Sequence, residues 1–111
     1  MPKQNYYQIG QLTDLAYLVL LTLVQPCHGY LIMSRIDELT EGDVQIGPAT
    51  LYTTLRKLSE AGFIRPEKSD DNKKIYLVTL DGLQALQAEI DKRRRYADYG
   101  SRALQLYKKG K

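Results

Sequence analysis

IGPATLYTTLRKLSEAGFI, running from Ile46 to Ile64, is the stretch whose reading decides the fold. It predicts one helix with both ends marked. Gly47 stands as an N-cap, and Pro48 takes the first helical position, where its missing N–H costs nothing and its fixed φ suits the turn. Gly62 follows the last periodic residue, where a left-handed cap needs no Cβ. Leu51, Leu55 and Leu58 recur at i, i+4 and i+7, which gives one apolar face. The opposite face carries Ala49, Tyr52, Thr53 and Arg56, with Thr50 and Lys57 at its edges, and has no carboxylate before Glu60. A solvated helix face ordinarily mixes charges of both signs. Hydroxyls, a methyl and two cations are instead the groups that meet base edges and phosphates in a major groove. The plainer alternative is a short amphipathic helix with a sparse polar face. The flanking segments bear on the choice.

Around this stretch the composition sets bounds. The chain has 111 residues, enough for one domain with a modest core. Hydrophobic content of 43% and charged content of 26% are ordinary for a folded protein. A net charge of +3 permits nucleic-acid binding without requiring it. The single cysteine, Cys27, excludes an internal disulfide and points to a reducing compartment. The longest apolar run, Leu15 to Leu21, is too short to span a bilayer. The first residues, MPKQNYYQIG, lack the apolar core of a signal peptide. The expected setting is therefore the cytoplasm, with no membrane partner.

Upstream, residues 1–11 read as a short polar arm. Thr13 is an expected N-cap, with Asp14 in the first turn where the helix dipole favours an anion. Leu15 to Leu23 is apolar nearly all round and needs cover on more than one side. Pro26 ends this helix. A second helix is expected from near His28, with Tyr30, Met33, Ile36 and Leu39 as its buried stripe, closed by Thr40, Glu41 and Gly42. Val44 and Ile46 flank Gln45 in the pattern of a very short strand. Two helices, a short link and a third helix with a polar outer face make a helix-turn-helix pattern.

Downstream, Ile64 to Lys68 and Ile75 to Val78 flank SDDNKK, a turn-forming segment. A β-hairpin directly after the third helix is the wing of a winged helix. Lys73 and Lys74 near its tip would reach the DNA backbone, or else serve only solubility. Thr79 caps a last helix running toward Tyr107. Leu83, Leu86, Ile90, Arg93, Ala97, Gly100, Leu104 and Tyr107 follow a 3-4 spacing, a heptad seam with one charged exception. At about 1.5 Å per residue this seam is roughly 37 Å long, more than a body of this size can cover. A helix from an identical chain is its natural cover. The run Lys92 to Arg95 points all around this helix.

These motifs together resemble the PadR family of transcriptional regulators. The residues that carry the resemblance are His28-Gly29-Tyr30, Thr50-Leu51-Tyr52 and Thr79 to Gly82, in order and at workable spacing. It covers about residues 12 to 90 and looks like the small subgroup with one dimerising C-terminal helix. The resemblance implies a DNA contact for Tyr52. Some members of that subgroup bind flat aromatic drugs through a Trp of the last helix. This sequence has no Trp, and Arg93 stands near that place. Among single residues, His28 is expected to be structural, Cys27 to be small-residue packing rather than a redox sensor, and Tyr6, Tyr7, Tyr96, Tyr99 and Tyr107 to serve core or interface rather than a ligand pocket.

The expected fold is mostly α with a small β-hairpin (α+β): a winged helix-turn-helix over residues 1–79, then a dimerisation helix over 80–111. The expected function is a homodimeric DNA-binding regulator, a repressor on a palindromic operator. Double-stranded DNA would meet Ala49, Thr50, Tyr52, Thr53, Arg56, Lys57, Lys73 and Lys74. The partner subunit would meet Leu83, Leu86, Ile90, Ala97 and Leu104. The alternative is a winged-helix module that binds protein. No nucleophile–base pair, metal-ligand spacing or phosphate-cradling glycine loop is present, so neither an enzyme nor a cofactor is expected. No residue pattern identifies a small-molecule effector.

Overall fold

The computed structural model describes residues 11–110, and the expected roles of Tyr6 and Tyr7 lie outside them. The elements are α1 (Asp14–Thr22), β1 (Cys27–His28), a 3-10 turn (Gly29–Leu31), α2 (Ile32–Leu39), α3 (Pro48–Glu60), β2 (Ile64–Lys68), β3 (Lys74–Val78) and α4 (Leu80–Lys109). This is a winged helix followed by one long helix.

Thr13 caps α1 by accepting a 3.1 Å hydrogen bond from the Ala16 N–H. Ala16, Val19 and Leu20 are wholly covered, whereas Leu15, Tyr17, Leu18 and Leu21 are half-buried. α2, α3 and α4 all pack on this most apolar helix, and Leu15, Tyr17 and Leu21 lie at the edge of the core.

The segment after Pro26 departs from expectation. No helix starts at His28. Cys27 and His28 pair with Tyr76 and Ile75 instead, adding a third strand so that the sheet order is β1-β3-β2. The following 3-10 turn takes up Tyr30, so α2 begins only at Ile32, with Met33 packed against the core. Its buried residues are Ile32 and Ile36, while Tyr30 is 53% and Leu39 52% exposed. Val44 to Ile46 forms no strand. Thr40 holds that segment by accepting from the Val44 N–H at 3.1 Å, and Ile46 packs into the core.

The ends of α3 are as the sequence marks them. Gly47 is the N-cap and Pro48 opens the helix. At the other end Gly62 takes φ +82°, and the Phe63 N–H bonds back to the Leu58 carbonyl at 3.0 Å. That closure, with Phe63 and Leu58 both buried, turns the chain directly into the wing. Leu51, Leu55 and Leu58 are all buried. In the wing Ile64 pairs with Val78 and Lys68 with Lys74, across a turn in which Asn72 adopts φ 63°.

Thr79 and Gly82 fasten α4 to this body. The Thr79 hydroxyl accepts from the Gly82 N–H and donates to the Gly62 carbonyl at 2.6 Å. A Cβ on Gly82 would lie 2.1 Å from the Phe63 carbonyl oxygen, so only glycine permits this approach. Helix α4 runs unbroken through Gly100. Its first turns lie over α1, and Ala85 and Leu86 belong to the core. Leu86 therefore corrects the expected seam. It is 4% exposed within its own chain and is not free to meet a partner. Ile90 is half-buried, Leu83 is 44% exposed, and Ala97 and Leu104 are exposed.

The charged exception in the seam also has a role within the chain. Glu89 is fully buried on α4. It accepts from the Leu12 N–H at 2.9 Å and the Arg93 Nε at 2.8 Å, with Lys92 Nζ at 3.3 Å. Arg93 also pairs with Asp14 at 2.9 Å and lies over the Tyr17 ring at 4.4 Å. Burial alone would raise the Glu89 carboxyl, but the Leu12 N–H, Lys92 and Arg93 outweigh it and hold the group below its ordinary value. This network ties α4 to the start of α1.

Candidate nucleic-acid interface

The outer face of α3 follows from the phase of its leucines. With Leu51, Leu55 and Leu58 fixed inward, Ala49, Thr50, Tyr52, Thr53 and Arg56 are exposed and Lys57 is half-buried. Thr54 is turned inward, where its hydroxyl donates to the Thr50 carbonyl at 2.8 Å. Arg56 pairs loosely with Glu60 one turn later, at 3.4 Å. Such an exposed i, i+4 pair is worth a few tenths of a kcal/mol, so a stronger anion can displace it.

This face has two flanks. Ala49, Thr50, Thr53 and Lys57 line a cleft of about 630 Å³ with Thr13, Asp14 and Leu15 at the start of α1. On the other side Tyr52, Lys73 and Lys74 line a cleft of about 330 Å³ with Gly29, Tyr30 and Tyr76. The structure thus brings both wing lysines beside Tyr52, while Thr50 and Lys57 sit on the far flank. Tyr52 leans toward the wing rather than straight outward, and its hydroxyl oxygen would lie 3.5 Å from a Cβ on Gly29. Glycine at position 29 leaves that space open. Tyr76 lies buried beneath. Its hydroxyl is raised above its ordinary value, first by burial and then by neighbouring Tyr52.

The His28-Gly29-Tyr30 segment holds the wing tip. His28 Nε2 lies 3.2 Å from the Ser69 hydroxyl and 3.5 Å from the Asp71 carboxylate, both in the wing turn. Ser69 hydrogen-bonds Asp71 in turn, and chiefly for that reason the exposed Asp71 carboxyl sits below its ordinary value. The Tyr30 ring lies 5.3 Å from the His28 ring and carries the Lys73 ammonium at 5.2 Å. Tyr30 is the residue that sequence reasoning missed here. Its spacing to Met33 and Ile36 suggested a buried stripe, and the 3-10 turn places it outside. The neighbouring motif His28-Gly29-Tyr30 was the available signal.

Cys27 is a buried free thiol. Burial pushes its pKa up, against the opposing pull of Arg35, so it stays protonated and poorly nucleophilic at neutral pH. No group of three or more His, Cys, Asp or Glu side chains suited to a metal occurs among the described residues. No helix of the described residues is long and apolar enough to cross a membrane.

The model of the transcriptional regulator PadR-like family matches residues 17–88, most of the chain and all three motifs. The chain belongs to the PadR family. It is 30% identical over 87 residues to the transcriptional regulator YqjI of Escherichia coli K12, which covers 77% of this chain and 40% of YqjI. This PadR-family chain thus spans less than half the length of that curated relative. Among solved structures, a PadR family regulator from Eggerthella lenta superposes with TM-score 0.67 at 27% identity, covering 81% of this chain and 77% of that one. Bacillus subtilis PadR, solved in complex with operator DNA, superposes with TM-score 0.60 at 29% identity, covering 67% of this chain and 45% of that one.

Proposed function

We propose that this PadR-family chain is a homodimeric, sequence-specific DNA-binding protein, a repressor acting on a palindromic operator in the cytoplasm. Residues 1–79 read DNA and residues 80–111 join the subunits. One observation carries the reading. The exposed face of α3 offers Ala49, Thr50, Tyr52, Thr53 and Arg56 with no carboxylate before Glu60, and the wing lysines stand beside it. Major-groove edges are read by such donors and methyls, and the flanking phosphates are met by lysines. The operator complex of Bacillus subtilis PadR supports the same mode of action. The chemistry is binding, not catalysis. Arg56 and Thr53 read bases from the centre of α3, and Lys73 and Lys74 neutralise backbone charge.

For the dimer, Leu83, Ala97 and Leu104 of α4 meet the partner, with Tyr96, Tyr99 and Tyr107 exposed beside them. Two-fold symmetry then sets half-sites about one helical turn apart, or a multiple of that. Selection of duplexes from a random library by the full chain, followed by footprinting, is the test. A palindromic footprint, with affinity falling at a log–log salt slope of about −0.9 per phosphate neutralised, is the expected result. Recovery of no preferred sequence, with weak binding insensitive to salt, would favour a protein-binding module.

A further inference from the structure

The cleft between the 3-10 turn, α3 and the wing has features that base reading does not use. Tyr30, Tyr52, Lys73 and Lys74 line it, and Gly29 and Tyr76 form its floor. Both lysines are exposed, and neither makes an ion pair among the described residues, although Arg56 and Arg65 each pair with a nearby glutamate. The Asp71 carboxylate of the same wing is already engaged by Ser69, by the Lys73 N–H and by His28. The hydroxyls of Tyr30 and Tyr52 carry no hydrogen bond among the described residues, and both rings are about half-exposed. Lys73 is also held in place, because its ammonium lies over the Tyr30 ring. A lysine fixed against an aromatic ring loses less side-chain entropy on binding than one free in solvent.

Two cations and two unengaged hydroxyls around one small opening match a singly charged, oxygen-rich anion. We infer that this cleft seats one phosphodiester of the DNA backbone, and that Tyr30 is a phosphate-contact residue acting with Lys73. The inference rests on the DNA-binding reading. The DNA backbone is the source because the cleft opens beside the exposed face of α3, at Tyr52. A major groove occupied by α3 brings its bordering phosphate to that edge. His28, fastened to Ser69 and Asp71, acts as a positioning residue that keeps the wing tip against Tyr30.

The test uses the full chain and a duplex recovered by selection, with a scrambled duplex beside it. Tyr30→Phe keeps the ring under Lys73 and removes only the hydroxyl, so its melting temperature should match the wild type. Its affinity should fall roughly 10-fold on both duplexes alike, the scale of one hydrogen bond to a charged group. Lys73→Ala should lower the salt slope by about one per subunit. A neutral methylphosphonate walked along the duplex should weaken the wild type at one position per half-site, and at that position cost Tyr30→Phe much less. Inorganic phosphate should compete no better than chloride at equal ionic strength. Stronger competition would mean a free-anion site and overturn the assignment. Wild-type affinity in Tyr30→Phe, or a scan with no such position, would overturn this inference while leaving DNA binding intact. Failure of the wild type to bind any duplex would overturn both.

Discussion

At the scale of single residues, burial separates side chains that hold the fold from those that read a partner. Leu55 and Arg56 are neighbours in sequence, yet Leu55 is buried and Arg56 is exposed. Leu55→Ala should cost roughly 2–5 kcal/mol of stability through a core cavity, and lose DNA binding only as the fold is lost. Arg56→Ala should fold normally and lose on the order of 1–3 kcal/mol of specific binding. Thermal melting and operator titration on the same pair distinguish the two, and a sharp drop in melting point for Arg56→Ala would mean that the face is misassigned. Glu89 gives a second residue-scale prediction. Its carboxyl is held below its ordinary value, so folding favours the ionised form. That contribution is complete above about pH 4.3, the ordinary glutamate value, and is lost as pH falls through the lowered one. Glu89→Ala leaves the Leu12 N–H without its acceptor while Arg93 keeps Asp14, and should cost about 1–3 kcal/mol near neutrality. Denaturant melts from pH 7 down to pH 3 should show the two proteins converging only below about pH 4. A constant gap down to pH 3 would rule out the charge as the cause.

At the scale of elements, α4 contains two glycines with opposite demands. Gly82 lies against the Phe63 carbonyl, where a Cβ would have to displace backbone. Gly100 has nothing within 4 Å of a Cβ. Gly82→Ala should therefore destabilise by at least about 1–3 kcal/mol, as overpacking does. Gly100→Ala should stabilise by about 0.5–1 kcal/mol through helix propensity. Chemical denaturation of both variants checks the pair of signs. Lower stability in Gly100→Ala would indicate that a partner backbone lies against that turn. The sequence marks the ends of α3, the wing strands and the Thr79 cap directly, because caps and turn residues act locally. Strand β1 was not legible. Two residues have no period, and Cys27 and His28 become a strand only because β3 presents an open edge beside them.

At the scale of the whole molecule, α4 makes the chain elongated. The described residues extend 62 × 34 × 22 Å with a radius of gyration of 16.5 Å. A compact chain of this length would have about 13 Å. The excess is the second half of α4, on which Tyr96, Tyr99, Leu104, Leu106 and Tyr107 are all exposed. Apolar area of that extent on a single projecting helix calls for cover. Because Leu86 belongs to the chain's own core, the informative substitutions lie further along. Ala97→Asp with Leu104→Asp should yield a monomer at micromolar concentration with the winged-helix body still folded, read by sedimentation and circular dichroism together. A dimer that survives both charges would move the interface to other surfaces.

The sequence by itself determined the local grammar of this protein. The apolar phase of α3, its Gly47-Pro48 start, its Gly62 stop, the wing turn and the Thr79 cap each depend on residues within a few positions of one another. From these followed the winged helix and the family. Tertiary structure alone decided which residues of a periodic stripe lie inside. A single 3-10 turn before α2 takes up Tyr30 and leaves it exposed beside Lys73, while Ile32 and Ile36 lie inward, and no local signal announces such a turn. The heptad seam was likewise divided by packing. α1 covers Leu86, and the Glu89–Arg93 pair closes against Leu12 and Asp14, because these groups, 77 to 81 positions apart in sequence, meet only once α4 folds back over the start of α1.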